Sequence, residues 1–228
     1  MIQLDSVSKH YRQENVLSEI TLHFTGRVIY GLVGPNGCGK TTLMRCICGF
    51  TRPSSGTVTV LGKRIGKDCD FAPSTGVIIE SPGFLPNESG LKNLLLLANM
   101  SGMADRVSAR KAMITLGLDP DDKKPEEKKP VGKYSLGMRQ RLAIAQAILE
   151  DPQILILDEP FNGLDQDGIT NIHALLQTLK EQGKCILLAS HSATDIAQAC
   201  DVVYAFHQGR LENAKACNST TVMDRKIV

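Results

Sequence analysis

Hydrophobic residues in this chain first alternate with polar ones and later gather into unbroken runs. Residues 2–4, the stretch Ile20-Thr21-Leu22-His23-Phe24 and residues 57–61 show the alternation. A period of two predicts strands with one buried face. Gly26-Arg27 supplies a turn before the apolar run Val28, Ile29, Tyr30, Leu32 and Val33. Pro53-Ser54-Ser55-Gly56 and Gly62 bracket residues 57–61. These strands predict a small antiparallel layer. Residues 77–79, 154–157 and 185–189 are apolar without alternation, the pattern of parallel strands buried on both faces. Helical spacing alternates with them. Residues 165–180 place Ile169, Ile172, Leu175, Leu176 and Leu179 on one face, and residues 193–200 form a shorter helix. That order of strand and helix predicts a three-layer α/β core.

The middle of the chain breaks the alternation. Residues 91–100, 105–116 and 136–149 all read as helices with no strand between them, which predicts a helical subdomain inserted over about residues 84–149. The charged, proline-punctuated run at residues 119–130 reads as a solvated surface loop. No internal repeat is visible, and residues 213–228 carry no readable motif.

Chemistry enters at Gly34-Pro35-Asn36-Gly37-Cys38-Gly39-Lys40-Thr41-Thr42, between an apolar strand and a helical segment at residues 43–48. Glycines allow a tight turn whose successive N–H groups point at one anion, and the following helix adds its positive dipole end. Lys40 is placed to reach the β- and γ-phosphates of a nucleotide and Thr41 to hold Mg²⁺. The alternative is a glycine turn that binds nothing. A second feature weighs against it: Ile154-Leu155-Ile156-Leu157 ends in Asp158-Glu159. A buried strand that delivers acids to its C-terminal edge puts charge where open α/β sheets bind ligands. Asp158 suits the Mg²⁺ shell, and Glu159 suits proton abstraction from an attacking water.

Composition narrows the class. The chain has 228 residues, 42% hydrophobic and 22% charged, enough for a sizeable core in one large domain or two small ones. A net charge of +2 makes no electrostatic case for a nucleic-acid partner. No apolar run approaches the roughly 18–20 residues of a membrane span, and the N-terminus lacks the pattern of a signal peptide. Seven cysteines, none in a CxxC pair, argue against a disulfide scaffold or a zinc site and for a reducing cytoplasm. Cys38 reads as a buried bystander in the phosphate loop.

The order of these motifs resembles the nucleotide-binding subunits of ATP-binding cassette (ABC) transporters over nearly the whole chain. Tyr11 sits where that family carries an aromatic that stacks on adenine; a packed tyrosine is the alternative. Tyr134-Ser135-Leu136-Gly137-Met138-Arg139-Gln140-Arg141 is similar to the family signature, usually LSGGQ. Ser135 and Gly137 keep its pattern, while Leu136 and Met138 depart from it. Helix-start amides bind phosphate whatever their side chains, so the resemblance keeps Ser135, Gly137 and Met138 among the nucleotide contacts. Phe161-Asn162-Gly163-Leu164-Asp165 resembles the D-loop of the dimer interface, and His191 matches the switch histidine that contacts γ-phosphate. Glu80 occupies the position of the Q-loop glutamine, where its carboxylate would meet Mg²⁺ or a bound water; a solvated surface acid is the alternative. This Glu with the YSLGM signature resembles the branch that handles bacitracin-type and lantibiotic peptides.

The resemblance implies a P-loop NTPase (RecA-like) three-layer core with an antiparallel β subdomain and an inserted helical signature subdomain. It implies a single nucleotide-binding domain over residues 1–228, using ATP and Mg²⁺. It further implies a head-to-tail homodimer or heterodimer of ATP-binding subunits, in which Lys40, Glu159 and His191 do the chemistry. With no membrane segment, the chain would sit on the cytoplasmic face of the cell membrane, held by separate permease subunits, with no nucleic acid involved. Leu85, Leu91 and residues 94–97 belong to the permease-facing surface or to ordinary core. Lipid or drug efflux, and a hydrolysis-poor regulatory module, are the competing functions.

Overall fold

A computed structural model describes residues 1–12, 14–80, 83–118 and 129–216. Most of the charged run at 119–130, the Ser81-Pro82 step and the last part of the tail lie outside the described residues. Two sheets organise the rest. Strands β1 (Ile2–Tyr11), β2 (Glu14–Phe24), β4 (Ser55–Val60) and β5 (Lys63–Arg64) form an antiparallel sheet in the order β2-β1-β4-β5. Strands β3 (Val28–Val33), β6 (Thr75–Ile78), β7 (Ile154–Asp158), β8 (Cys185–Ser190), β9 (Val202–His207) and β10 (Arg210–Ala216) form a second sheet in the order β10-β9-β3-β8-β7-β6. It is parallel except for the β9–β10 hairpin.

Three differences from the sequence reading have local causes. The strand at residues 2–4 continues to Tyr11 because a bulge between Leu4 and Val7, with Ser6 at φ 48°, shifts the alternation by one and returns Val7 to the core. The run before the phosphate loop belongs to the parallel sheet, between β8 and β9, and not to the antiparallel layer. Its residues Ile29 to Leu32 are all buried, as a strand covered on both faces requires. Strands β9 and β10 were not expected. Their two-residue connection, Gln208 (φ 45°) and Gly209 (φ 75°), has both residues left-handed, the conformation that closes a tight hairpin.

The parallel sheet separates two cores. Leu155, Leu157, Ile186 and Leu188 face one made with helices α2 (Gly90–Ser101), α3 (Arg106–Thr115), α4 (Leu136–Ile148), α5 (Gln166–Glu181) and α6 (Ala193–Ala199). Ile154, Ile156, Cys185 and Leu187 face the other, made with α1 (Lys40–Cys48) and the antiparallel sheet. Each such Leu or Ile stabilises the fold by about 1.5–3 kcal/mol. Helices α2 to α6 start on a side-chain cap: Ser89, Asp105, Ser135, Asp165 and Ser192 each accept a backbone N–H three residues on. Helix α1 starts on Gly39 with no side-chain cap. Its first amides therefore remain available to an anion.

Candidate nucleotide site

The loop between β3 and α1 is shaped by close backbone approaches. A Cβ on Gly34 would lie 2.3 Å from Phe206 O, and one on Gly39, whose φ is 115°, would lie 2.7 Å from Val16 O. Only glycine fits either position. The loop closes on itself through Cys38 N–H to Pro35 O (3.4 Å), and Cys38 is buried. Lys40 is 5% exposed and donates from Nζ to Gly34 O at 2.6 Å and Pro35 O at 3.0 Å. Asn36, Gly37, Gly39, Lys40, Thr41, Thr42, Asp158 and Glu159 line an adjacent cleft of about 280 Å³.

Strand β7 brings both acids to that cleft. Thr41 Oγ1 donates to Asp158 Oδ2 at 2.6 Å, joining the loop to the strand end. Burial pushes the Asp158 carboxyl above the usual range; the Thr41 hydrogen bond and Lys40 pull it down, and Glu159 and Glu80 push it up. Glu159 has a left-handed backbone (φ 48°), and all its polar groups are engaged. Its N–H donates to Ala189 O (2.8 Å), and its Oε2 accepts from the Ser190 hydroxyl (2.9 Å). Its Oε1 accepts from the backbone N–H of His191 (2.9 Å) and lies 2.8 Å from His191 Nδ1. Neighbouring strands β7 and β8 thus set Glu159 and His191 in contact.

The remaining expected residues fall elsewhere. Glu80, with φ 65°, makes an ion pair with Arg45 of α1. Tyr11, at the end of β1, is 46% exposed, with Lys9 Nζ 4.7 Å from its ring centroid. Ser135 caps α4 by accepting from Met138 N–H (3.2 Å), and Met138 Sδ lies 3.6 Å from Lys129 Nζ. Gly137 packs so closely on the 161–165 loop that a Cβ there would lie 2.7 Å from Gly163 O. Leu136 fills the space over Gly163, which has φ 74°. Leu85 is exposed, whereas Leu91 and Leu94 are buried. Tyr11, Glu80, Ser135, Gly137, Met138 and His191 do not line the cleft, so the expected contacts divide into more than one surface.

Sequence reasoning missed Ser190, Arg45 and Gln140. Ser190 and Gln140 both touch Glu159: Gln140 Nε2 donates to Glu159 O (3.2 Å) and Pro160 O (3.0 Å). The one local cue for Ser190 was a hydroxyl beside His191 at the end of an apolar strand.

A glycine-built anion loop at a helix start, with a lysine inside it and a strand-end carboxylate bonded to the loop's threonine, defines a phosphate-binding nucleotide protein. The particular family follows from comparison: residues 17–162 match the ABC transporter family. The chain is 37% identical over 215 residues to the ABC transporter ATP-binding protein YybJ of Bacillus subtilis, covering 94% of this chain and 96% of that protein. It is 40% identical over 213 residues to the bacitracin transport ATP-binding protein BcrA of Enterococcus faecalis, covering 92% and 68%. It is 30% identical over 211 residues to the lantibiotic transport ATP-binding protein SrtF of Streptococcus pyogenes, covering 92% and 89%. The dimeric structure of the bacterial ABC transporter cassette MJ0796 shares its fold, with TM-score 0.83 at 20% identity over 96% of this chain and 100% of that one. The chain belongs to the ABC transporter family, as an ATP-binding cassette. Among the described residues no helix is long and apolar enough to cross a membrane.

Proposed function

We propose that this cassette is the ATP-hydrolysing subunit of a transporter that expels an antimicrobial peptide of the bacitracin or lantibiotic kind through separate permease subunits. The observation that carries hydrolysis is the contact of Glu159 with His191 and Ser190 at the edge of the loop cleft. The peptide class is supported by the names of the relatives at 40% and 30% identity.

We assign the roles as follows. Lys40 and the first amides of α1 hold phosphate oxygens, and Tyr11 offers an exposed ring to adenine. Glu159 takes the proton of the attacking water at its carboxylate, and His191 orients that carboxylate. The donor set at the loop suits Mg²⁺: one hydroxyl and one carboxylate, Thr41 Oγ1 and Asp158 Oδ2, lie together, leaving the other positions to water and phosphate. When bound, the ion draws charge off the phosphate oxygens. Glu80, held by its ion pair with Arg45, is assigned to Mg²⁺ or its bound water. Ser135, Gly137 and Met138 at the start of α4 lie outside the cleft and are assigned to the nucleotide of a second cassette in a head-to-tail dimer. The working unit is then a homodimer or a heterodimer, peripheral to the cytoplasmic face of the membrane, with no nucleic-acid partner. Residues 1–228 act as one nucleotide-binding unit with a helical insertion at about 84–149.

Two measurements test this reading. The Mg-ATPase rate of the purified chain rises faster than linearly with its concentration if two copies complete each other's sites. In a sensitive Gram-positive host, co-expression with its permease raises tolerance to a bacitracin- or lantibiotic-type peptide, and Lys40→Ala abolishes the gain. Unchanged tolerance to both peptide classes with an active ATPase would remove the peptide assignment and leave the ATPase standing.

A further inference from the structure

The carboxylate of Glu159 is held by β8 and the loop after it, but its backbone is held from a different part of the molecule. Glu159 sits in the left-handed region, with φ 48°, and carries a side chain there at a cost that surrounding contacts must offset. Its carbonyl accepts from Asn162 N–H (3.3 Å), two residues beyond Pro160. The same carbonyl and that of Pro160 accept from the side-chain amide of Gln140, at 3.2 and 3.0 Å. A primary amide has two N–H bonds, so one side chain can satisfy both carbonyls at once. Gln140 is half-buried on α4, about one turn after Gly137 and above the Ser135 cap. Through it the helical block reaches the backbone of Glu159. Around it, Gly137 abuts Gly163 O and Leu136 covers Gly163, so the start of α4 and the 158–165 segment form one packed unit.

We infer that Gln140 is a positioning residue for the reaction: its amide fixes the backbone of Glu159 and Pro160, and so links the pose of the catalytic carboxylate to the start of the signature helix. This inference rests on Glu159 being the proton acceptor. It goes beyond that role by naming what sets the acceptor's place. Movement of α4 is transmitted through one hydrogen bond to the Glu159 carbonyl and one to that of Pro160, without any contact between Gln140 and nucleotide.

The test measures kcat and KM for ATP on the full chain as wild type, Gln140→Leu, Gln140→Glu and Glu159→Gln, with melting curves for each. Gln140→Leu keeps the bulk and removes the donors. It is expected to lower kcat roughly tenfold or more, within the roughly hundredfold that a displacement of about an ångström can cost, with KM within about twofold. Gln140→Glu sets a carboxylate against two carbonyls. Its rate relative to wild type is expected to rise as the pH falls, because the protonated acid again donates; a purely structural loss would not track pH this way. Wild-type kcat in a folded Gln140→Leu, beside an inactive Glu159→Gln, overturns the inference alone. Near-wild-type turnover in Glu159→Gln overturns the proton-acceptor reading and the inference with it. If Gln140→Leu fails to fold, a flat pH ratio for Gln140→Glu is the overturning result.

Discussion

Replacing Glu159 by Gln changes one chemical property and little of the surrounding geometry. The carboxylate takes part in three contacts: the Ser190 hydroxyl at 2.9 Å, the His191 N–H at 2.9 Å and His191 Nδ1 at 2.8 Å. A Gln carbonyl at the Oε1 position keeps both His191 contacts. The amide NH₂ then faces Ser190, whose hydroxyl can turn to accept while still bonded to Ser192 N–H (3.1 Å). The folding cost is therefore about 1 kcal/mol, the difference between ionic and neutral hydrogen bonds. Loss of the general base is worth roughly 10²–10⁴ in rate, or about 3–5 kcal/mol of barrier. Phosphate release at saturating Mg-ATP should fall by at least 10², while titration with a fluorescent nucleotide analogue gives an unchanged affinity. A rate within about threefold of wild type would refute the role, since a positioned base cannot be worth so little.

Thr41→Val keeps the shape of the side chain but removes the 2.6 Å hydrogen bond to Asp158. Leaving that half-buried carboxylate short of a partner should cost about 1–3 kcal/mol in denaturant unfolding and raise the Mg²⁺ concentration needed for activity. Burial lowers the pKa of His173 from 6.5, so the native state binds fewer protons than the unfolded chain below that value. Stability should then fall as pH drops from about 6.5, and His173→Gln should flatten that acid slope in chemical melts. Burial raises the thiols of Cys46 to about 11 and of Cys48 and Cys185 to about 12. A thiol reagent at neutral pH should spare all three until denaturant is added, whereas the half-exposed Cys69 reacts in the native protein.

What the sequence made legible was local. The phosphate loop declares itself because glycine, lysine and threonine needed at one turn are neighbours in the chain, and β7 declares itself because four buried residues run straight into two acids. The longer β1 was hidden by its bulge, which puts Asp5 and Ser6 where the alternation called for one polar residue. The β9–β10 hairpin was hidden because Gln208 and Gly209 are a weaker hairpin signal than Asn-Gly. Contacts made by tertiary folding were not readable at all. Arg45 meets Glu80 across 35 positions, Ser190 meets Glu159 across 31, and Gln140 on α4 meets the Glu159 backbone across 19. No periodicity encodes such pairings, because each depends on how two elements pack and not on either one.

The lysine inside the loop has a consequence for how the cassette exchanges nucleotide. Its ammonium rests on the carbonyls of Gly34 and Pro35, the first two residues of the same loop, within a nearly dry setting. Its long stem is buried and its ammonium already partnered by the fold itself. In its proposed role, Lys40 would trade two neutral oxygens for charged phosphate oxygens without the ordering of a flexible arm. Affinity is then governed by a swap between partners of known strength. Replacing Pro35 so as to alter how well its carbonyl competes for Lys40 should therefore tune nucleotide release.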